Sequence, residues 1–309
     1  MKKERPKKHL LIVGGTGFIG RHLAQYTINK KRWKVTCTST SKLLFDSING
    51  VKYIHLNITK QKDIKIKLNK NFTHIVNLSG YNSNSSLKRE KNKISNINFK
   101  GSYNLSNFFF KRKIKKFIQI GSSAEYGNVK SPLDENKKCF PNSSYGKSKL
   151  QSTNYLLKMF KTNSFPVTIL RLFNVYGPYQ NADYFIPQVI NECVKNFTFS
   201  VSRCEQVRDF VYIDDVVSAI FLALTNPRTN GEIINIASGK KIMMKEVVEI
   251  IVKFVKKGNP NFGKIQYRKN ENMKVYCNTH KAKKKLSWKS KINFSTGILK
   301  TIKHYKNIN

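Results

Sequence analysis

Apolar residues in this chain gather in short runs that end in small or turn-forming residues. Leu10-Leu11-Ile12-Val13 stops at Gly14-Gly15-Thr16-Gly17, and Phe18, Ile19, Leu23 and Ala24 then follow at helical spacing. A buried strand, a tight turn and an amphipathic helix account for that pattern. Comparable runs recur at Trp33–Ser39, Val51–Leu56, Thr73–Leu78, Lys116–Ile120 and Val167–Phe173. Helical spacing covers about Asn96–Phe110 and Tyr145–Phe160. Strands alternating with helices predict βαβ units and a parallel sheet. Ligands of such sheets lie beyond the carboxyl ends of the strands, which predicts that Gly14, Ser79, Ser122 and Asn174 surround one crevice.

The second half is less regular. Ile186–Asn196 and Val216–Leu224 read as helices, Ile233–Ile236 as a strand, and Lys245–Val255 as an amphipathic helix. Further helical runs lie at Lys281–Leu286 and Thr296–Tyr305. No internal repeat or long linker separates two independent halves.

Composition narrows the class. No apolar run approaches the ~20 residues that span a bilayer, and the charged N-terminal stretch flows into a strand rather than a signal-peptide core. The five cysteines are widely spaced with no C-x-x-C, and the six histidines form no i,i+4 pair. A reducing cytoplasm is therefore expected, and no metal site. The net charge of +41 admits two readings. One is a nucleic-acid or membrane-surface partner. The other is general enrichment in Lys, Asn and Ile, because the lysines are spread along the whole chain rather than gathered in a tail. Either way, such a field attracts anionic substrates.

Two motifs carry chemistry. Gly15-x-Gly17-x-x-Gly20, or equally Gly14-x-x-Gly17-x-x-Gly20, fits a dinucleotide-binding fingerprint between a strand and a helix. One glycine serves the turn, one admits a pyrophosphate to the backbone, and one lets helix and strand pack closely. The helix N-terminus adds N–H donors and partial positive charge. In Ser144-Tyr145-Gly146-Lys147-Ser148-Lys149, Tyr145 and Lys149 lie i,i+4 on one helix face. A phenol is a weak base at neutral pH, with a reference pKa of ~10. A neighbouring cation favours the phenolate, which makes Tyr145 a candidate to exchange a proton with a substrate hydroxyl. Ser122 supplies a hydroxyl for the same substrate oxygen. In isolation, a Tyr and a Lys at this spacing are an ordinary exposed pair.

Taken together, these motifs resemble the extended short-chain dehydrogenases/reductases, the NAD-dependent epimerase/dehydratase family acting on nucleotide sugars. The likeness rests on Gly14-Gly-Thr-Gly-Phe-Ile-Gly20, Asn98 in Asn-Phe-Lys-Gly, and Ser122-Ser-Ala-Glu-Tyr-Gly127. It extends to Tyr145-Gly-Lys-Ser-Lys149, Arg171-Leu-Phe-Asn174-Val-Tyr-Gly-Pro178 and Arg208-Asp-Phe-Val-Tyr-Ile-Asp-Asp215. It implies an α/β fold, a Rossmann-type doubly wound parallel sheet with a smaller C-terminal substrate-binding portion. Residues 1–174 plus about 211–237 are expected to form the dinucleotide-binding domain, and about 175–210 plus 238–309 the substrate portion.

The resemblance also implies roles. Tyr145 is the acid/base, Lys149 binds the nicotinamide ribose and lowers the Tyr pKa, and Ser122, with its hydroxyl, is the third catalytic residue. Gly14, Gly15, Thr16, Gly17, Phe18, Ile19, Gly20, Ser39, Lys42, Asn57, Ile58, Leu78, Ser79, Gly80 and Asn98 are expected around the cofactor. Asn57 stands where the family has an Asp, and Asn98 supports the backbone of the site. Ser123, Asn174, Arg208 and Arg268 are expected at the substrate, the arginines on its phosphates. Arg208 has an alternative as a structural ion pair with Asp209 or Asp214, and Asp214 reads as a helix N-cap. A homodimer through Asn104–Phe110 and Ser152–Phe160 is implied as well.

Three departures narrow the reaction. The family's 4,6-dehydratases carry an acid just after the catalytic hydroxyl, whereas this chain has Ser123 and Ala124, with Glu125 one place late. That disfavours a dehydratase and leaves a nucleotide-sugar 4-ketoreductase or 4-epimerase. The second strand ends in Thr38-Ser39-Thr40-Ser41-Lys42, with no acid for a ribose 2′-hydroxyl, which points to NADP(H) over NAD(H). Ser202-Arg-Cys-Glu-Gln206 replaces a Gly-x-Gly, so base and sugar remain open. The competing class is a redox-silent NADP(H)-binding or RNA-binding protein of the same fold.

Overall fold

Leu10, Leu11, Ile12 and Val13 are all buried, as a central strand covered on both faces requires. They lie in β1 (Lys8–Val13) of a computed structural model that describes residues 8–41, 47–69, 71–83, 85, 87–268 and 271–307. The chain continues through α1 (Phe18–Ile28), β2 (Trp33–Ser39), β3 (Lys52–His55), α2 (Gln61–Lys67), β4 (His74–Asn77) and α3 (Lys88–Ser95). A π-helical turn, Asn96–Lys100, leads into α4 (Gly101–Phe110) and β5 (Lys116–Ser122). Next come α5 (Ser144–Asn163), β6 (Val167–Leu172), β7 (Asn174–Tyr176), α6 (Phe185–Val194), β8 (Thr198–Ser200) and β9 (Val207–Tyr212). The remainder is α7 (Ile213–Thr225), β10 (Ile233–Ile236), β11 (Lys241–Met243), α8 (Met244–Val255), β12 (Asn259–Asn261), β13 (Lys274–Val275), α9 (His280–Leu286) and α10 (Phe294–Lys306).

Seven strands form one sheet in the order β10-β6-β5-β4-β1-β2-β3. β1 pairs in parallel with both β2 and β4, and β4 in parallel with β5. The expected doubly wound α/β sheet is present. Its strand order reverses between β1 and β4, the place where such sheets open a crevice at their carboxyl ends. Leu11, Val13, Ile75, Phe117 and Ile169 from the sheet pack with Leu105, Phe109, Leu156 and Met159 from α4 and α5. Each such side chain contributes about 1.5–3 kcal/mol on burial.

The chain divides into two units. One comprises residues 1–127, 138–171 and 217–234, the other 128–137, 172–216 and 235–309. In the second, β9 pairs with β7, β11 and β13, and β8 with β12. Residues 128–137 belong there through Leu133, which bridges to Cys277.

Helices α2 and α3 lie outside the sequence expectation because each buries a single residue, Ile64 and Ile94. A helix with so thin an apolar stripe leaves no periodic signal. The helix expected over Asn96–Phe110 is interrupted by its π-helical start. Asp214 lies inside the first turn of α7 instead of capping it. The neighbouring Asp215 carboxylate is the one engaged, accepting from the Ser290 hydroxyl and from the N–H groups of Lys291 and Ile292.

Lys116, at the start of β5, is 1 % exposed. Its ammonium donates to Asn226 O, Thr229 Oγ1 and Asn230 Oδ1 at 2.9, 2.8 and 2.6 Å. Burial pulls its pKa down to about 7. Between that value and the ~10.4 of an unfolded lysine, the unfolded chain binds the extra proton, so stability rises with pH across this window. Denaturant unfolding at pH 7 and pH 10 should therefore show a gain that Lys116→Met loses. The difference between the two proteins is expected to be about 1–3 kcal/mol, since displacing a pKa by one pH unit corresponds to ~1.4 kcal/mol. Equal gains would show that Lys116 titrates normally.

Candidate functional site

The glycine run makes the turn between β1 and α1. Gly14 has φ +79°, a conformation that side chains with a Cβ rarely adopt. Its N–H donates to Thr38 Oγ1 at 3.2 Å, and the Gly15 N–H donates to Thr38 O at 3.0 Å, which binds the turn to β2. A Cβ on Gly15 would fall 2.4 Å from the Cys37 side chain, and one on Gly20 2.3 Å from Gly14 O. Close packing thus excludes side chains at both positions. Gly17 is the N-cap of α1, makes no side-chain cap bond and lines the cavity beside the turn.

Beside this turn lies a cavity of about 1040 Å³. Of the residues expected around a cofactor, Gly14, Thr16, Gly17, Ser39, Asn57, Ile58, Leu78, Ser79 and Gly80 line it. Gly15, Phe18, Ile19, Gly20, Asn98 and Lys149 are not in its lining. Of these, Gly15 and Gly20 are taken up by packing within the turn. Lys42 lies outside the described residues. The volume and the glycine-rich turn at the start of α1 fit a dinucleotide with its pyrophosphate against α1. Thr59 donates through both its N–H and its hydroxyl to Asn57 Oδ1, so Asn57 shapes the wall as well as lining it. Another part of the lining falls outside the sequence expectation: Lys88, Arg89, Asn92 and Lys93 of α3 line the same cavity. Basic residues at helical spacing in an otherwise polar segment are its only signal.

Asn98 sits in the π-helical turn and is buried. Its Oδ1 accepts the Tyr81 N–H at 2.9 Å, and its Nδ2 donates to Tyr81 O at 2.9 Å and to Ser148 Oγ at 3.0 Å. It therefore holds the segment after Gly80 against α5.

On α5, the Ser143 side chain caps the helix by accepting from the Gly146 N–H at 3.0 Å. Tyr145 follows, half-buried, and Lys149 is buried one turn on. The Lys149 ammonium lies 5.8 Å from the centre of the Tyr145 ring. It donates to Ile120 O at 3.1 Å and to Ser79 O at 3.4 Å, at the carboxyl ends of β5 and β4. Burial lowers its pKa to about 8, against a raising influence from Glu125. Ser122, which ends β5, accepts from the Ala124 N–H at 3.2 Å, and Ser123 is half-buried beside it.

In the second unit, the Asn174 amide donates to Asp209 O at 3.1 Å. Arg208 pairs with Glu271, which corrects the alternative of an ion pair with Asp209 or Asp214. The Asp209 carboxylate instead accepts from Ser238 and from the Gly239 N–H. Burial lowers the Arg208 pKa, Glu271 opposes that, and Arg268 adds to it, so the two guanidinium groups feel one another. In the Ser202–Gln206 loop, Glu205 accepts the Tyr267 hydroxyl at 2.9 Å.

The model of the NAD dependent epimerase/dehydratase family matches residues 10–237, from β1 through β10. The chain belongs to this family. A Methanocaldococcus jannaschii protein assigned as a UDP-glucose 4-epimerase is 29% identical over 97% of this chain and 99% of its own length. The mouse dTDP-D-glucose 4,6-dehydratase is 25% identical over 97% of this chain and 89% of its own. The crystal structure of a Tyr-to-Phe mutant of UDP-glucuronic acid 4-epimerase from Bacillus cereus, in complex with a fluorinated UDP-glucuronic acid and NAD, superposes with a TM-score of 0.88. It covers 97% of this chain and 100% of that one at 22% identity, which establishes likeness of fold. No helix among the described residues is long and apolar enough to cross a membrane.

Proposed function

We propose that this protein is an NAD(P)-dependent oxidoreductase acting on a nucleotide-diphosphate sugar, as a 4-ketoreductase or a 4-epimerase. The observation that carries the reading is the Lys149 ammonium, tied to the ends of β4 and β5 beside the cavity and one helical turn from Tyr145. A bound nicotinamide supplies the hydride acceptor or donor. Tyr145 holds or releases the proton of the sugar hydroxyl at its phenolic oxygen, Lys149 favours the phenolate, and the Ser122 hydroxyl orients the same oxygen. Arg208 and Arg268 serve the diphosphate, with Glu271 as the counter-ion of Arg208 before substrate arrives.

A dehydratase needs a carboxylate beside the catalytic hydroxyl to remove a carbon-bound proton. The acid nearest to Ser122 in sequence, Glu125, is fully buried, and both its oxygens are engaged. That supports a ketoreductase or epimerase over the dehydratases among the relatives. The end of β2 offers hydroxyls and no carboxylate, and Lys88, Arg89 and Lys93 line the cavity. Both features support NADP(H), since a 2′-phosphate favours cations and is repelled by an acid. The reading includes a homodimer through α4 and α5. Leu105, Phe109, Leu156 and Met159 are core within one chain, so on α4 the apolar residues left for the dimer surface are Tyr103 and Phe110, 39 % and 43 % exposed.

The test is to purify the protein, identify any retained nucleotide, and supply NADPH with 4-keto nucleotide sugars. NADPH consumption is the expected result. Tightly held NAD with interconversion of 4-epimers and no net consumption would select the epimerase. Neither activity across UDP-, dTDP-, CDP- and GDP-sugars would overturn the proposal.

A further inference from the structure

Glu125 ends the single 3-10 turn after β5, Ser123–Glu125. Its Oε1 accepts the Ser122 N–H at 2.9 Å. Its Oε2 accepts the Thr153 hydroxyl at 2.9 Å and Arg171 Nε at 2.8 Å. Thr153 is on α5, the helix that carries Tyr145 and Lys149, and Arg171 is on β6. One carboxylate therefore joins the end of β5, the middle of α5 and the neighbouring strand. Arg171 is 2 % exposed, and its guanidinium carbon stands 4.6 Å from the centre of the Tyr126 ring. Gly121 makes room for the pair: a Cβ there would fall 2.4 Å from Glu125 Oε1 and 3.2 Å from Arg171 Cγ. Stability alone is a weak reason for a buried ion pair, because desolvation offsets much of the attraction.

We propose that Glu125 and Arg171 form a positioning pair, in which the Arg-held carboxylate locks the Ser122 backbone and clamps α5 to β5, so that Ser122, Tyr145 and Lys149 keep one arrangement. This rests on the reading that those three side chains carry the chemistry. The carboxylate also acts on Lys149 through its charge. Burial drives the ammonium toward its neutral form and Glu125 opposes that. The other groups facing it are the Tyr145 ring on its own helix and the carbonyls of Ser79 and Ile120. Arg171 is bonded to Glu125.

Glu125→Gln keeps the shape and removes the charge. A kcat lower by about tenfold or more is expected, as for small misplacements of reacting groups, with NADPH affinity unchanged. The alkaline limb of the kcat–pH profile should move to lower pH, because Lys149 loses its supporting negative charge. Thr153→Val removes one donor and no charge, so it should lower kcat without moving that limb. A folded Glu125→Gln protein with wild-type kcat and profile would overturn the proposal. If that variant does not fold, a Thr153→Val protein with wild-type kcat would overturn it as well. Lys149 can also be followed without turnover by a 13C-lysine NMR titration, its signal identified by loss in Lys149→Met. A lower midpoint in Glu125→Gln is expected, and an unchanged midpoint refutes the electrostatic part. Because this needs no substrate, it separates failure of the positioning pair from failure of the proposed activity.

Discussion

Replacing Tyr145 with Phe should lower kcat by roughly 10²–10⁴, the range supplied by a positioned acid or base, and leave cofactor affinity almost unchanged. Phe keeps the ring and its packing on α5, and only the hydroxyl is lost. That hydroxyl is the group proposed to pass a proton to a sugar oxygen, because the Ser148, Ser152 and Thr153 hydroxyls of the same helix are buried and bonded within the protein. Its use depends on the Lys149 charge 5.8 Å from the ring centre. The ammonium is bonded to two carbonyls one helical turn from the phenol, which places its charge within reach of the ring. The experiment compares steady-state kcat and NADPH binding for the wild type and Tyr145→Phe on the best 4-keto or 4-hydroxy nucleotide sugar. Retained activity within a few-fold of wild type would remove Tyr145 from the mechanism, and with it the oxidoreductase reading.

Gly20→Ala should lose cofactor affinity by roughly 100-fold, the equivalent of ~3 kcal/mol of overpacking. The added Cβ would lie 2.3 Å from Gly14 O, 2.7 Å from Gly15 Cα and 2.9 Å from Gly15 C. All three are backbone atoms of the turn that faces the cavity, so no flexible side chain can swing aside. Relief requires α1 to move away from β1, which withdraws the helix N-terminus from the expected pyrophosphate. Gly17→Ala provides the internal contrast, since its Cβ meets only Gly14 O, at 3.4 Å. That protein should keep the melting temperature of the wild type, and any affinity it loses reflects direct approach of the ligand. Fluorescence titration with NADPH reads both. Wild-type affinity in Gly20→Ala would mean that this turn does not hold the cofactor.

Much of the architecture is readable from local pattern. β1 ends in a continuous apolar run and β5 and β6 are mostly apolar, because parallel strands covered on both faces need no polar side, while β2 is marked by its β-branched and aromatic residues. The glycines of the first turn are readable for a related reason: Gly15 and Gly20 have no space for a Cβ, and Gly14 has a positive φ. The short strands of the second unit, β8, β11, β12 and β13, are not readable, since two or three residues carry no period. α3 is hidden for the same reason as α2, its thin apolar stripe, and with it the basic wall of the cavity.

Sequence order alone is enough for the fold class, the glycine turn and the Tyr145–Lys149 face, because each depends on residues within a few positions of one another. The fate of the charged groups depends on folding. Glu125 meets Arg171 across 46 positions, and Arg208 chooses Glu271 across 63 in preference to the adjacent Asp209. Proximity in sequence suggests the wrong partner for Arg208, because Asp209 points to the other side of β9 and is consumed by the Ser238–Gly239 turn. A strand sends neighbouring side chains to opposite faces. Which acid neutralises which base is then set by burial and by long-range strand order, and neither can be read from a local window of the chain.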